Sequence, residues 1–189
     1  YPDVRYADID ALEHFVRIGS FEGRNPNPSF STKWYLKHYP DVATSSSKWS
    51  LKKHPNALIH FIKFGKNENR YQTAPYTSIN GACKLSKSFQ NILLIAHDVG
   101  RELFGGERSF LDMVEGLHSI GYNVTVVIPN NKNQNYIELL KKSARKIVIF
   151  SYRWWKQNVP IDKEMVEIFS MIMRDSKVDV VHVNTIMLR

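Results

Sequence analysis

The chain has 189 residues, 43% of them apolar, enough for a real core in one domain or one and a half and too many for a disordered polypeptide. Its net charge of +8 is spread evenly: residues 1–80 hold 11 basic and 7 acidic side chains and residues 81–189 hold 15 and 11, so neither part is a basic nucleic-acid arm. Cys83 is the only cysteine, which excludes an intrachain disulfide and fits a reducing compartment, and the longest apolar runs, Ile92–Ala96 and Val124–Ile128, are far below the roughly 20 residues that cross a bilayer.

Residues 1–75 read as a helical repeat domain. Tyr1-Pro2-Asp3-Val4 returns as Tyr39-Pro40-Asp41-Val42, and Asp10-Ala11-Leu12-Glu13-His14-Phe15 returns as Asn56-Ala57-Leu58-Ile59-His60-Phe61. Gly19 and Arg24 match Gly65 and Arg70 at the same offsets from the histidine, so the copies span about 1–24 and 39–70. A Ser/Lys-rich insertion within Ala43–His54 lengthens the second copy. Asp10 and Asn56 are helix N-caps by type and position, and Gly19 and Gly65 stand where each helix would close in the left-handed conformation. Ser31 caps a further helix carrying Trp34, Tyr35 and Leu36, which must stop before Pro40. Helices this short persist only by packing on one another, so a small aromatic-rich bundle is expected. His14 and His60 lack partners at metal-ligand spacing and read as structural, hydrogen-bonded to backbone. Arg24 and Arg70 read as bonding acids or carbonyls of their own units.

Residues 76–90 lie in a stretch rich in Ser, Thr, Asn, Gly and Pro with no apolar period and read as a linker. From Asn91 the pattern alternates. Ile92–Ile95, Val124–Ile128, Ile147–Phe150 and Val178–Val183 read as strands, and amphipathic helices lie between them. The first helix follows Gly106 with Phe110, Leu111, Val114 and Leu117 inward and ends at Gly121; a short one carries Ile137 and Leu140; the last is capped by Asp162 and turns Met165, Ile168, Phe169 and Ile172 to the sheet. Strict β-α order implies an α/β fold with a doubly wound parallel, Rossmann-like sheet. Tyr1 is not Met and a sheet of this kind would continue past Arg189, so the chain reads as a truncated piece of a longer protein.

The loop His97–Gly106 joins the first strand to the first helix, which places helix-terminal N–H groups at the carboxyl edge of the sheet, where phosphate-bearing ligands bind. Gly100, Gly105 and Gly106 do not have the G-x-G-x-x-G spacing, and Ile128 is followed by Pro-Asn-Asn and not by an acid for a ribose, which disfavours a dinucleotide site. A Gly-Gly pair remains, with Glu107 and Arg108 behind it; as a bare pattern it is also an ordinary turn. Between Lys132 and Lys156 seven basic side chains face only Glu138; they read as a solvated helix face and loop, or as a peripheral contact with anionic lipid.

Phe104-Gly105-Gly106-Glu107-Arg108-Ser109-Phe110-Leu111, Gly116-Leu117, Gly121-Tyr122-Asn123-Val124-Thr125-Val126-Val127 and Asp179-Val180-Val181-His182-Val183-Asn184 together resemble the N-terminal domain of retaining, nucleotide-sugar-dependent glycosyltransferases of the B fold. The repeats resemble Tyr-Pro-Asp-Val…His…Gly…Glu-Gly-Arg units found beside such domains in bacterial polysaccharide-synthesis proteins; Glu68-Asn69-Arg70 departs from Glu-Gly-Arg. The resemblance implies a cytoplasmic enzyme, peripheral at the inner face of the membrane, that passes a sugar from a nucleotide-sugar donor to a glycan or lipid-linked acceptor in cell-surface polysaccharide synthesis. This segment would be the acceptor-side domain, inactive without a C-terminal glycosyltransferase domain, and would need no cofactor or metal. Gly105, Gly106, Glu107, Arg108, Asn184 and Thr185 would form its donor-diphosphate or acceptor contacts, with no catalytic residue assigned. His182 points the same way as Asn184 along the strand and reads first as a buried, bonded histidine. The competing reading is a non-catalytic interaction module in which Trp34, Tyr35, Trp49, Trp154 and Trp155 serve as aromatic anchors.

Overall fold

In both repeat copies a side chain caps the helix that carries the histidine. Asp10 accepts from the N–H groups of Leu12 and Glu13, and Asn56 accepts from that of Ile59. The computed structural model describes residues 1–6, 9–44, 56–153 and 158–184. The chain divides into two units, Tyr1–Pro75 and Tyr76–Arg189.

The first unit is helical. It contains α1 (Pro2–Arg5), α2 (Ala11–His14, widening into a π turn over Phe15–Gly19), α3 (Thr32–His38), α4 (Pro40–Thr44) and α5 (Ala57–His60, widening over Phe61–Gly65). Its core is Phe30, Tyr35, Val42, Ala57 and Phe61. Each copy closes on its arginine. Arg24 pairs with Asp3 and Glu22, both at 2.6 Å, above the ring of Tyr1. Arg70 pairs with Asp41 at 2.7 Å and Glu68 at 2.6 Å, above the ring of Tyr39. The tyrosine hydroxyls then accept from the amide after the arginine, Asn25 to Tyr1 and Tyr71 to Tyr39. Gly19 and Gly65 do not take the left-handed conformation. That role falls on Gly23, with φ of 70°, and on Asn69, with φ of 54°. Asparagine tolerates this region, so the departure at Asn69 keeps the turn. His60 bonds a side chain and not backbone: its Nδ1 lies 3.0 Å from the hydroxyl of Tyr35.

The second unit is an α/β layer structure. It runs β1 (Thr77–Asn80), β2 (Asn91–Ile95), α6 (Gly105–Ser119), β3 (Asn123–Ile128), α7 (Gln134–Ser143), β4 (Lys146–Ile149), α8 (Lys163–Ser176) and β5 (Val180–Val183). The five-stranded sheet has the order β1-β4-β3-β2-β5 and is parallel except for β1, which pairs antiparallel with β4. The residues expected to be a linker thus hold an edge strand. The stretch after it is pinned as well, because the buried side chain of Asn123 accepts from Ser86 N–H and donates to the carbonyls of Ser86 and Phe89. One face of the sheet, with Ile92, Leu94, Val124, Val126 and Ile147, buries Phe110 and Val114 of α6 and Tyr136, Ile137 and Leu140 of α7. Right-handed crossovers put the helix of the reversed connection, α8, on the other face. There Leu93, Ile95, Val127 and Val148 are buried, as are Met165, Ile168, Met171 and Ile172 of α8. Gly121, with φ of 96°, ends α6. Among the described residues no helix is long and apolar enough to cross a membrane.

Candidate functional site

The chain crosses the sheet in one direction from β2 through β3 to β4, then returns past both to lay β5 on the far side of β2. Connections leaving the carboxyl ends of β2 and β5 therefore diverge, and the crevice between them is the topological switch point of the sheet. Two of the sequence candidates sit there. The loop 96–104 follows β2 and leads into α6, and Asn184 follows β5 with its N–H donating to Ile95 O at 3.0 Å.

The loop is held from beneath. Asn133, a buried N-cap of α7, donates to the carbonyls of Gly100 and Arg101 at 3.2 and 3.0 Å, and Asn130 donates to Val99 O at 3.3 Å. Tyr152 donates to Ala96 O at 2.5 Å, and burial raises the pKa of its phenol far enough to keep it protonated as a donor. These three residues were not among the sequence candidates. Asn130 and Asn133 stand in a run that reads only as loop opening, and Tyr152 lies 56 residues from its acceptor. Glu107, grouped by resemblance with the ligand contacts, turns its carboxylate to the loop: one oxygen accepts from Gly100 N–H at 3.1 Å and the other from Phe104 N–H at 3.2 Å. The reason is its place at the third helical position, where a glutamate reaches back to the residue before the helix.

What the loop presents is the amino end of α6. Apart from Glu107, which takes the N–H of Phe104, no side chain among the described residues caps it, and the N–H groups of Gly105 and Gly106 have no partner there. Gly105 and Gly106 are exposed, and a Cβ added at either would meet nothing within 4 Å. Arg108 is exposed behind them and makes no ion pair among the described residues. The ensemble is a set of neutral amide donors with a guanidinium nearby, suited to an oxyanion. Thr185 lies outside the described residues, as do Trp49, Trp154, Trp155 and Lys156. His182 is exposed, not buried: among the described residues β5 is an edge strand, and all four of its residues are open to solvent. Among the described residues no group of three or more His, Cys, Asp and Glu is placed to hold a metal.

The basic stretch from Lys132 divides between the two edges of the sheet. Lys132 and Arg153 follow the carboxyl ends of β3 and β4, whereas Lys141, Lys142 and Arg145 lie where α7 returns to the amino end of β4. Lys141 is also paired with Glu138 at 2.9 Å. Adjacency in sequence therefore does not make one basic face here.

In class, the second unit is an α/β protein with a mostly parallel five-stranded sheet. No protein-family model, no curated protein and no solved structure matches the chain.

Proposed function

We propose that residues 76–189 are the acceptor-side half of a Rossmann-like, doubly wound glycosyltransferase, in which the amino end of α6 receives the diphosphate of a nucleotide-sugar donor. One observation carries the reading: a helix start with two exposed glycines, whose N–H groups no described side chain takes and whose missing side chains leave open space, stands at the switch point of the sheet. Gly105 and Gly106 let the donor approach the backbone, Arg108 adds charge, Asn184 lines the opposite wall, and Glu107 keeps the loop in register. Transfer of a sugar with departure of a nucleoside diphosphate needs donors from both sides of a cleft, so the nucleotide itself is held by a second domain. A glycan or lipid-linked acceptor, and a place at the inner face of a membrane, belong to the same proposal.

Equilibrium titration of the chain with uridine and guanosine diphosphate sugars tests it. One helix terminus contributes about 0.3–1 kcal/mol to an exposed anion, so binding should be no tighter than about millimolar. Submicromolar affinity would mean that this domain holds the whole donor, contrary to the proposal.

A further inference from the structure

At the amino edge of the sheet, where β2, β3 and β4 begin, three segments distant in sequence meet. The turn 81–90 is fastened to the end of α6 by the Asn123 side chain, which bonds Ser86 and Phe89, and by Cys83, whose Sγ lies 3.3 Å from His118 Nε2. The same turn reaches the end of α7: Ala82 N–H donates to Lys141 O, and the Cys83 thiol donates to Lys142 O at 3.3 Å. Residues 81–90, 118–123 and 141–146 together hold six basic side chains, Lys84, Lys87, Lys141, Lys142, Arg145 and Lys146, and no acid. Lys84, Lys87 and Lys142 are exposed and make no ion pair among the described residues. The acids one turn back on the helices, Glu115 and Glu138, leave the face positive, and Glu138 is already paired with Lys141.

Large apolar side chains stand among these cations. Leu85 is 56% exposed, Phe89 43% and Ile120 73%. They are neighbours, since a Cβ on Gly121, next to Ile120, would stand 3.3 Å from the Phe89 ring, and Leu85 lies between the tethered Cys83 and Ser86. Singly such residues are ordinary on a surface. Grouped within a face of unpaired lysines, they are complementary to anionic lipid, which offers phosphate charge outside and acyl chain beneath. The chain enters this unit at Thr77, opposite Ile149, and leaves β5 past Val183, both at the carboxyl edge, so the openness of the amino edge is not that of a chain end.

We infer that this face seats the protein on a bilayer of anionic lipid, with Lys84, Lys87 and Lys142 at the headgroups and Leu85, Phe89 and Ile120 in the acyl boundary. The inference rests on the membrane placement proposed above, to which it gives a surface, at the opposite edge of the sheet from the crevice. Nucleic acid fits this face less well. Leu85 and Ile120 offer a base nothing to stack on, and Phe89 is the one ring among the three.

Co-sedimentation of the full chain with vesicles of equal parts phosphatidylglycerol and phosphatidylcholine tests it. Each lysine near an anionic leaflet strengthens partitioning about fivefold, so Lys84→Ala, Lys87→Ala and Lys142→Ala together should weaken binding by about tenfold or more. Leu85→Ser with Ile120→Ser should weaken it by a similar factor while the melting point holds, and phosphatidylcholine alone should bind the parent poorly. Lys33→Ala, Lys66→Ala and Lys163→Ala together remove the same charge elsewhere and should bind like the parent. No sedimentation of the parent, equal loss in the two lysine triples, or parent-like binding by the serine variant overturns the inference. So does a single-stranded oligonucleotide that displaces the vesicles by binding the same three lysines. Titration of α6 with the diphosphate sugars needs no vesicles, so failure of this surface and failure of the glycosyltransferase reading are told apart.

Discussion

Arg70 joins three parts of the second repeat, donating two bonds to Asp41, pairing with Glu68 and lying 4.7 Å over the ring of Tyr39. Lysine lacks the planar fork and the stacking face, so Arg70→Lys should lower stability by about 1 kcal/mol in denaturant melts. The bond from Arg70 holds the Asp41 carboxyl below its ordinary 3.8. A depressed carboxylate adds stability that is present above the unfolded pKa and is lost as pH falls through the folded one, so the first unit should weaken below about pH 4. His60 acts in a higher window. Burial first, and the Arg70 charge second, lower its pKa from 6.5, so the unfolded chain takes up the proton more readily and stability declines as pH falls below 6.5. Melts of His60→Gln should lack that slope. Burial also pushes the Tyr35 phenol up to about 12, which keeps it protonated opposite His60 throughout this range. In the second unit, a Cβ on Gly81 would stand 1.9 Å from Ala144 O, so Gly81→Ala should cost about 1–3 kcal/mol or more.

At the scale of elements, Asn123 ties the start of β3 to the turn at Ser86 and Phe89 with three bonds. Asn123→Ala leaves those backbone groups without partners and should cost about 1–3 kcal/mol, read as a lower melting point with faster exchange in residues 86–91. Such long-range ties separate what was legible in the sequence from what was not. β2, β3 and β4 were legible because strands covered on both faces are continuous apolar runs, and the helices because Phe110 with Val114, and Ile168 with Ile172, repeat at helical spacing. β1 was not: Thr77–Asn80 has one apolar residue, Ile79, and is a strand only because β4 offers it an edge. Gly19 and Gly65 misled for a related reason. Glycine answers equally to a left-handed turn and to a close neighbour, and sequence cannot tell which.

For the whole second unit, the decisive fact is the order β4-β3-β2-β5, which no local pattern encodes and which brings Asn184 beside the end of β2. Gly105, Gly106 and Arg108 are legible in the sequence as candidates; their open setting is not. That setting makes a separable prediction, because the glycines there relieve no steric conflict. Gly106→Ala should leave stability unchanged or raise it by up to about 1 kcal/mol through helix propensity. The most direct test of the central claim is an amide-resolved NMR titration of the chain and of Gly106→Val with inorganic pyrophosphate and uridine diphosphate. The claim predicts millimolar shifts confined to residues 104–108 and 184, abolished in the valine variant while its melting point holds. Shifts elsewhere with residues 105 and 106 silent, or shifts that survive the valine, would contradict it.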